Sequence, residues 1–259
     1  MIARFIDNLA SRGKYCFSVK DAAKLSNSSD VAVRAALRRL REKGDIAMPY
    51  RGFYVIVPPE YRNMGCLPAE QFTPGLMEYL DEHYYAGLLS AAQYHGAAHH
   101  RPQVFQVVVT KARNNIECGK VRVKFIFRKN AKEIPTENRN TPRGLVRISS
   151  PEATAFDLVG YPDHAGGLDN VATVLADLAE KIDPIKLEEV AVYSPISWAQ
   201  RLGYLMDLVG VGEKAYSLHS DVQNKVSAPT LLARSKPHKG MEKNQRWQVL
   251  INTKVEAEF

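Results

Sequence analysis

Long apolar runs are absent from the 259 residues of this chain, and cysteine is scarce. No run approaches the roughly 18 residues that a helix needs to cross a bilayer. The start, MIARFIDNLASRGKY, carries charges where a signal peptide has an apolar core. Cys16, Cys66 and Cys118 stand about fifty residues apart, which is neither a disulfide framework nor a metal-ligand spacing. We therefore expect a soluble protein of the reducing cytoplasm with no membrane partner.

Motifs of nucleotide and ester chemistry are missing as well. The sequence contains no glycine-rich loop of the G-x-x-x-x-G-K type and no G-x-S-x-G elbow. His95 and His99 have an H-x-x-x-H spacing, but no glutamate follows His95, and Gly96 indicates that the helix ends there. We expect a hydrogen-bonded helix terminus at His95, with His99 and His100 near solvent, and no metal site.

Four carboxylates between residues 152 and 169 are the remaining candidates for catalysis. Glu152 follows Ser150-Pro151, a cap and first-turn signal, and is expected in the first turn of a helix. Asp163 and Asp169 belong to a glycine-rich turn, where aspartate is favoured. We therefore expect no catalytic residue, no metal and no cofactor. The alternative is a nuclease-like acidic cluster that includes Asp157.

The net charge of +7 is unevenly distributed along the chain. Residues 1–62 hold 12 Lys or Arg against 6 Asp or Glu, and residues 101–147 hold 12 against 3. Residues 63–100 and 148–259 each have a balance of −4. Two basic segments in an otherwise acidic chain indicate localised contact with a polyanion. For any single charged run, a solvated surface is the commoner explanation.

The first basic segment predicts a winged helix-turn-helix. Apolar residues at helical spacing predict a helix over 2–9, and a cap sequence predicts a second over 18–25. A third helix has its apolar stripe between residues 33 and 40 and ends at Gly44. Two apolar runs within 46–57, joined at Arg51-Gly52, predict a β-hairpin. Helix, short strand, helix, helix and hairpin is the winged-helix order.

Arginines crowd on the exposed side of the predicted third helix. Arg34 and Arg38 project away from the apolar stripe, Arg39 and Arg41 flank the exposed face, and Arg51 lies at the hairpin tip. Arginine pairs bidentately with guanine and with phosphate oxygens. We predict a DNA-binding site made of Ser28, Ser29, Arg34, Arg38, Arg39, Arg41 and Arg51. A winged-helix adaptor that binds only protein is an alternative.

Prolines and weak periodicity predict a surface linker over residues 61–74. It would separate a DNA-binding domain of residues 1–60 from a C-terminal domain of residues 75–259. That domain mixes strand-like runs, at 104–110 and 121–128, with helical patterns. The predicted fold class is α+β: an N-terminal winged helix-turn-helix followed by a larger mixed α/β domain.

The second basic segment contains an alternating strand. The alternation over 121–128 places Arg122, Lys124 and Arg128 on one face, interrupted by Ile126. We predict that this face is a second surface for nucleic acid or a partner. A charged sheet edge that prevents aggregation is the alternative.

Three stretches of the chain resemble the AbiEi family, antitoxins of bacterial type IV toxin–antitoxin systems that act in phage abortive infection. They are RGFYVIVPPEYR at 51–62, YYAGLLSAAQYHGAAHHRPQVFQVVV at 84–109, and TPRGLVRISSPEATAFDLVGYP at 141–162. The similarity extends over essentially the whole chain, and the middle stretch is the most distinctive.

The resemblance implies an autorepressor whose winged helix binds operator inverted repeats, as a dimer or as two monomers on adjacent sites. It also implies that the C-terminal domain counteracts a co-encoded nucleotidyltransferase toxin without a stable complex. Carried over by position, DNA contact falls on Arg34, Arg38, Arg39 and Arg51. The Gly-Ser with paired acids that such a toxin needs for its metals is missing. The alternative function is a nucleic-acid-processing enzyme, in which the winged helix delivers a nuclease-like domain to its target.

Overall fold

The computed structural model of this chain describes residues 2–26, 29–97, 103–236 and 241–258, without the side chains of Leu25, Ser26 and Asp30. The chain forms two compact units. The N-terminal unit consists of Met1–Tyr85, Gln103–Lys132 and Asn138–Arg147. The C-terminal unit consists of Ala86–Pro102, Glu133–Glu137 and Ile148–Phe259. Helices and strands are both present in each, so the fold class is α+β, as the sequence predicts.

A winged helix occupies the start of the N-terminal unit. Its elements are α1 (Ile2–Ser11), β1 (Cys16–Ser18), α2 (Val19–Ser26), α3 (Asp30–Glu42), β2 (Ile46–Tyr50) and β3 (Phe53–Ile56). The strands form an antiparallel sheet in the order β1-β3-β2. The predicted order of helix, short strand, helix, helix and hairpin is confirmed.

An apolar cluster holds the three helices against this sheet. Phe17 of β1 meets Phe5 of α1 edge-on, with ring centroids 5.4 Å apart, and stacks on Tyr54 of β3 at 5.6 Å. Val33 and Leu37 of α3 are completely buried in the same cluster. Burial of one such aliphatic side chain contributes about 1.5–3 kcal/mol. The predicted apolar stripe of α3 therefore faces the core, and the opposite face of the helix is exposed to solvent.

Most of a second sheet also belongs to the N-terminal unit. Its strands are β4 (Tyr84–Ala86), β5 (Phe105–Val109), β6 (Ile116–Cys118), β7 (Val121–Phe127), β8 (Thr136–Thr141) and β9 (Gly144–Ser149). They lie in the order β6-β7-β5-β4-β9-β8, and β7 pairs in parallel with β5 and antiparallel with β6. The strands expected over 104–110 and 121–128 are confirmed as β5 and β7, to within a residue.

Residues 61–74 do not form the irregular surface linker that the sequence indicates. A 3-10 turn (Pro59–Met64) leads into α4 (Ala69–Tyr79), and Leu67 and Phe72 are completely buried. Pro68 directly precedes the first turn of α4, where proline does not disturb a helix. Helix α4 packs on β1 and β3 of the winged helix and also on β7. Tertiary packing, which local periodicity does not report, orders this segment.

The C-terminal unit is built around a buried helix. Its helices are α5 (Leu88–Tyr94), α6 (Pro151–Gly160), α7 (Leu168–Leu178), α8 (Pro184–Ala191), α9 (Ile196–Leu208) and α10 (Tyr216–Lys225). A small sheet, in the order β10-β12-β11, contains β10 (Thr230–Leu231), β11 (Glu242–Asn244) and β12 (Val249–Ile251). Helix α6 packs against α5, α7, α8 and α9. Ser150 caps it, with Pro151 in the first turn, as predicted.

Among the residues described, no helix has both the length and the apolar character that a bilayer crossing requires.

The three cysteines, which are distant in sequence, come together in the N-terminal unit. The N–H of Lys120 donates to the carbonyl oxygen of Met64 at 2.7 Å, which brings the β6–β7 turn beside the end of the 3-10 turn. The buried Cys66 thiol consequently donates a hydrogen bond to the half-buried Cys118, with Cys16 nearby. All three are free thiols. Their spacing in the sequence did not indicate this contact.

The contact makes the cysteines chemically unequal. The pKa of Cys118 is lowered, chiefly because Cys66 donates a hydrogen bond to its sulfur, and the backbone of Met48 adds another. The same contact, together with burial, raises the pKa of Cys66. Burial alone raises the pKa of Cys16 to about 12.

Cys118 is expected to be alkylated first by iodoacetamide, because the thiolate is the reactive form. Its rate should rise with pH through a pKa below that of an ordinary thiol, so that it reacts at neutral pH while the other two do not. Mass-spectrometric peptide mapping over a pH series measures this. Cys66→Ala removes the donor and should slow Cys118 at pH 7, whereas Cys16→Ala should not. Equal alkylation of all three cysteines would contradict the prediction.

Candidate nucleic-acid interface

Helix α3 is delimited at both ends by hydrogen bonds that its own sequence supplies. The hydroxyl of Ser29 accepts the N–H of Ala32 at 3.4 Å. At the other end, the N–H groups of Gly44 and Asp45 donate to carbonyls of the last turn at 3.0 Å each, which is the Schellman arrangement. Gly44 has φ +74°, a conformation that glycine adopts without steric cost. The helix therefore presents its exposed face in a defined orientation.

The arginines predicted on α3 are all exposed. Arg34, Arg38 and Arg41 lie within about 60° of one another around the helix axis, and Arg39 lies on the other flank of the exposed face. The side chain of Arg38 is 76% exposed, and its Nε is 3.8 Å from a carboxylate oxygen of Glu42. An exposed pair of this kind contributes about 0–1 kcal/mol. The pair therefore leaves Arg38 available to an external anion.

The start of α3 adds a residue that sequence reasoning left out of the site. Val31 is 78% exposed and lies on the same face as Arg38. An apolar side chain at this position suits contact with a thymine methyl group. The only sequence signal was a valine on the polar side of the helix. Of the two predicted serines, Ser29 is the cap, and Ser28 lies outside the described residues.

The hairpin tip carries Arg51, which is exposed. Gly52 has φ +79°, which closes a two-residue turn between the paired residues Tyr50 and Phe53. Tyr79 of α4 supports this turn: its hydroxyl donates to the carbonyl oxygen of Arg51 at 3.4 Å, and its ring lies 5.5 Å from that of Phe53. Helix α4 thus positions the hairpin, a role that sequence reasoning did not find.

Arg143, in the β8–β9 turn, packs on the winged helix. Its guanidinium carbon lies 3.7 Å from the ring centroid of Tyr15, and its Nη2 is 3.0 Å from a carboxylate oxygen of Glu60. The Arg143 side chain is only 13% exposed. A guanidinium can make both contacts at once, because its plane stacks on an aromatic ring while its N–H groups pair with a carboxylate. The contact joins the second basic segment to the first.

The second basic surface was predicted to consist of Arg122, Lys124 and Arg128, and the prediction is wrong for Arg128. Arg122 is exposed, with its Nε 3.9 Å from Glu117 on the neighbouring strand, and Lys124 is half-buried. Arg128, however, is 4% exposed, and its Nε donates to Asn130 at 3.2 Å. Strand β7 pairs with β5 without a shift of register, but the side of the strand that carries Arg122 and Lys124 becomes buried from Ile126 onward. The candidate surface is therefore Arg122 and Lys124 alone.

The two basic segments of the sequence fold into the same unit. The N-terminal unit contains 23 Lys or Arg against 11 Asp or Glu, while the C-terminal unit contains 12 against 17. The positive charge of the whole chain is therefore concentrated in the unit that contains the winged helix. A field of this sign raises the local concentration of a polyanion and speeds its association.

The acids considered for catalysis do not form a cluster. Glu152 is buried and accepts hydrogen bonds from the Ser150 hydroxyl at 2.9 Å and from the N–H of the residue that caps α8 at 3.0 Å. Asp157 is completely buried, whereas Asp163 and Asp169 are exposed. Within the described part of the chain, no three His, Cys, Asp or Glu side chains meet as a metal site requires.

His95, considered from the sequence as a possible metal ligand, lies at the end of a helix. It follows α5, is buried, and donates from Nε2 to the carbonyl oxygen of Ser149 at 2.8 Å. Gly96 has φ +80° and ends the helix. The expected hydrogen-bonded helix terminus is confirmed, while His99 and His100 lie outside the described residues.

Fold and surface together define a winged-helix regulator with a larger second unit. Comparison with protein families agrees with this class: residues 4–57 match the model described as "Transcriptional regulator, AbiEi antitoxin". Residues 85–208 match "AbiEi antitoxin C-terminal domain". The chain belongs to the AbiEi antitoxin family. Both models describe antitoxins and regulators rather than enzymes.

A solved structure has the same fold. It is the crystal structure of the RV2827C protein from Mycobacterium tuberculosis, with a TM-score of 0.68 and 19% sequence identity. The match covers 96% of this chain and 90% of that one. At this identity the likeness concerns the fold alone. No curated protein matches the chain.

Arg143→Ala is expected to lower the free energy of unfolding by about 1–3 kcal/mol, because the contacts with Tyr15 and Glu60 are both lost. Urea denaturation followed by circular dichroism measures the change. Arg143→Lys should recover only part of it, since an ammonium group does not stack as a planar guanidinium does. Lys129→Ala, at an exposed position of the same unit, should stay within about 0.5 kcal/mol. An Arg143 variant as stable as the Lys129 control would show that the contact does not hold the unit together.

Proposed function

We propose that this antitoxin represses its own operon by binding operator inverted repeats through α3 and the β2–β3 hairpin. The observation that carries the proposal is the set of exposed arginines on α3, held on a helix whose apolar face is buried. The residues proposed to contact DNA are Ser28, Ser29, Arg34, Arg38, Arg39, Arg41 and Arg51. The proposed DNA-binding module is residues 1–60, and the site of action is the cytoplasm.

The dimensions and charges of this surface suit the major groove. The groove is about 12 Å wide, and a helix with its side chains is about 10–12 Å across. Arg34 and Arg38 would face base edges and phosphates, and Arg51 at the hairpin tip would meet the backbone alongside. Inverted repeats require two such helices, supplied by a dimer or by two monomers on adjacent half-sites.

The antitoxic activity is proposed to belong to the C-terminal domain, residues 75–259, acting against a co-encoded nucleotidyltransferase toxin without a stable complex. Two observations support the assignment of DNA binding and antitoxic activity to different parts of the chain. Within residues 75–259, the part that belongs to the C-terminal unit has an excess of acid, which does not suit DNA, and the family model of the antitoxin C-terminal domain lies over residues 85–208. We propose that the antitoxin acts without catalysis of its own.

Arg34→Ala with Arg38→Ala is expected to weaken binding to the DNA upstream of the operon, and the salt dependence shows which contacts are lost. Fluorescence anisotropy across a salt series measures the affinity. Binding by the unaltered protein should fall by about 0.9 in log K per log salt for each phosphate neutralised. If both arginines contact phosphates, the variant's slope should be shallower by about 1.8. If they contact guanine, selectivity should fall by about 1–3 kcal/mol per base pair, with little change in slope.

Lys181→Ala with Lys186→Ala is the matched control, since it removes the same charge from exposed positions around α8. It should leave both affinity and salt slope unchanged. The Arg34/Arg38 variant should still neutralise the toxin in cells, which separates the two activities. Equal binding of the variant and the unaltered protein to any DNA would assign the winged helix to protein docking instead.

Arg122→Glu with Lys124→Glu tests the second basic surface, proposed to extend contact to flanking DNA or to an RNA. The affinity for operator DNA, the toxin neutralisation, or both should decrease, because two cations become anions beside a nucleic acid. Lys129→Glu with Lys132→Glu, at exposed positions after β7, is the control for general loss of charge. The second surface has no role if both activities survive the Arg122/Lys124 change.

A further inference from the structure

A pocket of about 430 Å³ lies entirely within the C-terminal unit. Its wall is formed by the turn between α6 and α7, by the chain after β10 and by the chain after β12. Arg201 of α9, Arg234 and Lys236 line it, together with Asp163 and Asp169. The volume is in the range of pockets that bind small molecules, about 300–1,000 Å³.

Arg201 is a buried cation without an ionic partner in the part of the chain that the structure describes. The residue is 4% exposed. Its Nε donates to the carbonyl oxygen of Leu231 at 2.8 Å and its Nη2 to the hydroxyl of Thr230 at 3.1 Å, and both acceptors are neutral. These bonds use two of the five N–H groups of a guanidinium. The charge itself is therefore not compensated by a carboxylate.

An uncompensated buried charge is unfavourable, since desolvation is not repaid by an opposite charge. The pKa of Arg201 is lowered to about 10, first by burial and then by repulsion from Arg234. Burial and the repulsion from Arg234 both disfavour the charged form of the Arg201 guanidinium. An anion between Arg201 and Arg234 would compensate the buried charge and would also reduce the repulsion between the two arginines.

Other groups at the pocket favour an anion on balance. Lys236 lies at the exposed rim and donates to the hydroxyl of Thr253. The N-terminus of α7 opens here without a side-chain cap, so its first N–H groups and the positive end of its dipole face this region. The two acids oppose an anion, but both are exposed at the rim, and Asp169 already accepts the N–H of Glu256 at 2.9 Å.

We propose that this pocket binds a phosphoryl group, carried by inorganic phosphate or by a small phosphate ester. A guanidinium fork, a second arginine and a helix N-terminus are the groups that bind phosphate oxygens in proteins. An ester is the better match for the volume, because inorganic phosphate alone would leave most of the pocket empty. The site is independent of operator binding, since every residue that lines it belongs to the C-terminal unit.

Thermal unfolding and isothermal titration of the full-length protein test the proposal, with inorganic phosphate and adenosine monophosphate as probes at constant ionic strength. Saturable binding that raises Tm is expected for at least one probe. Tighter binding of the nucleotide identifies an ester site, and equal binding identifies a site for the phosphoryl group alone. Arg234→Ala should weaken the affinity roughly tenfold or more. Lys186→Ala, an exposed lysine on α8 outside the pocket, should not change it.

Arg201→Met distinguishes a ligand-binding role from a structural one. The variant keeps the length of the side chain and removes its charge, so Tm without phosphate should be unchanged or higher, while the response to the probe is lost. The proposal is overturned if neither probe binds saturably at millimolar concentration. It is also overturned if the response survives in Arg234→Ala, a change at an exposed position that does not depend on how the Arg201 variant folds.

Discussion

A backbone contact between two distant segments determines how the N-terminal unit is assembled. The N–H of Lys120 donates to the carbonyl oxygen of Met64, and Gly119 approaches so closely that a Cβ there would collide with that oxygen. Glycine is required here for two reasons: it has no Cβ to collide with the oxygen, and its φ of +58° is in the left-handed region that glycine adopts without steric cost. The contact brings the β6–β7 turn against the segment that follows the winged helix. Arg143, stacked on Tyr15, makes a second connection from the β8–β9 turn.

This assembly has an electrostatic consequence that neither basic segment has by itself. Two stretches separated by about forty residues with no Lys or Arg become one strongly positive unit. The arginines of α3 and of the hairpin therefore lie in the field of the sheet residues as well as their own. The hairpin, supported by Tyr79, and the helix, ended by Gly44, both hold their arginines on hydrogen-bonded elements. Elements that are already ordered before binding reduce the entropy lost on binding.

The C-terminal unit follows a different physical plan. Helix α6 is buried along nearly its whole length, which explains why its acids do not serve as a surface cluster: Glu152 bonds the starts of α6 and α8. A charge that packing does not explain is Arg201, which lies in the wall of a pocket among neutral hydrogen-bond partners. A unit with excess acid that nevertheless buries an uncompensated cation is suited to hold a small anion rather than a nucleic acid.

The sequence by itself determined the winged helix, because its signals are local. The cap at Ser18, whose hydroxyl accepts the N–H of Asp21, the stripe of Val33 and Leu37, and the Arg-Gly turn act within a few residues, so they can be recognised without knowledge of the fold. The exposed arginines of α3 follow from the same periodicity. Tertiary structure alone decided that Arg128 is buried, that α4 orders the expected linker, that three cysteines meet and that Arg201 faces a pocket. These outcomes depend on contacts between residues far apart in the chain, and local periodicity does not encode them.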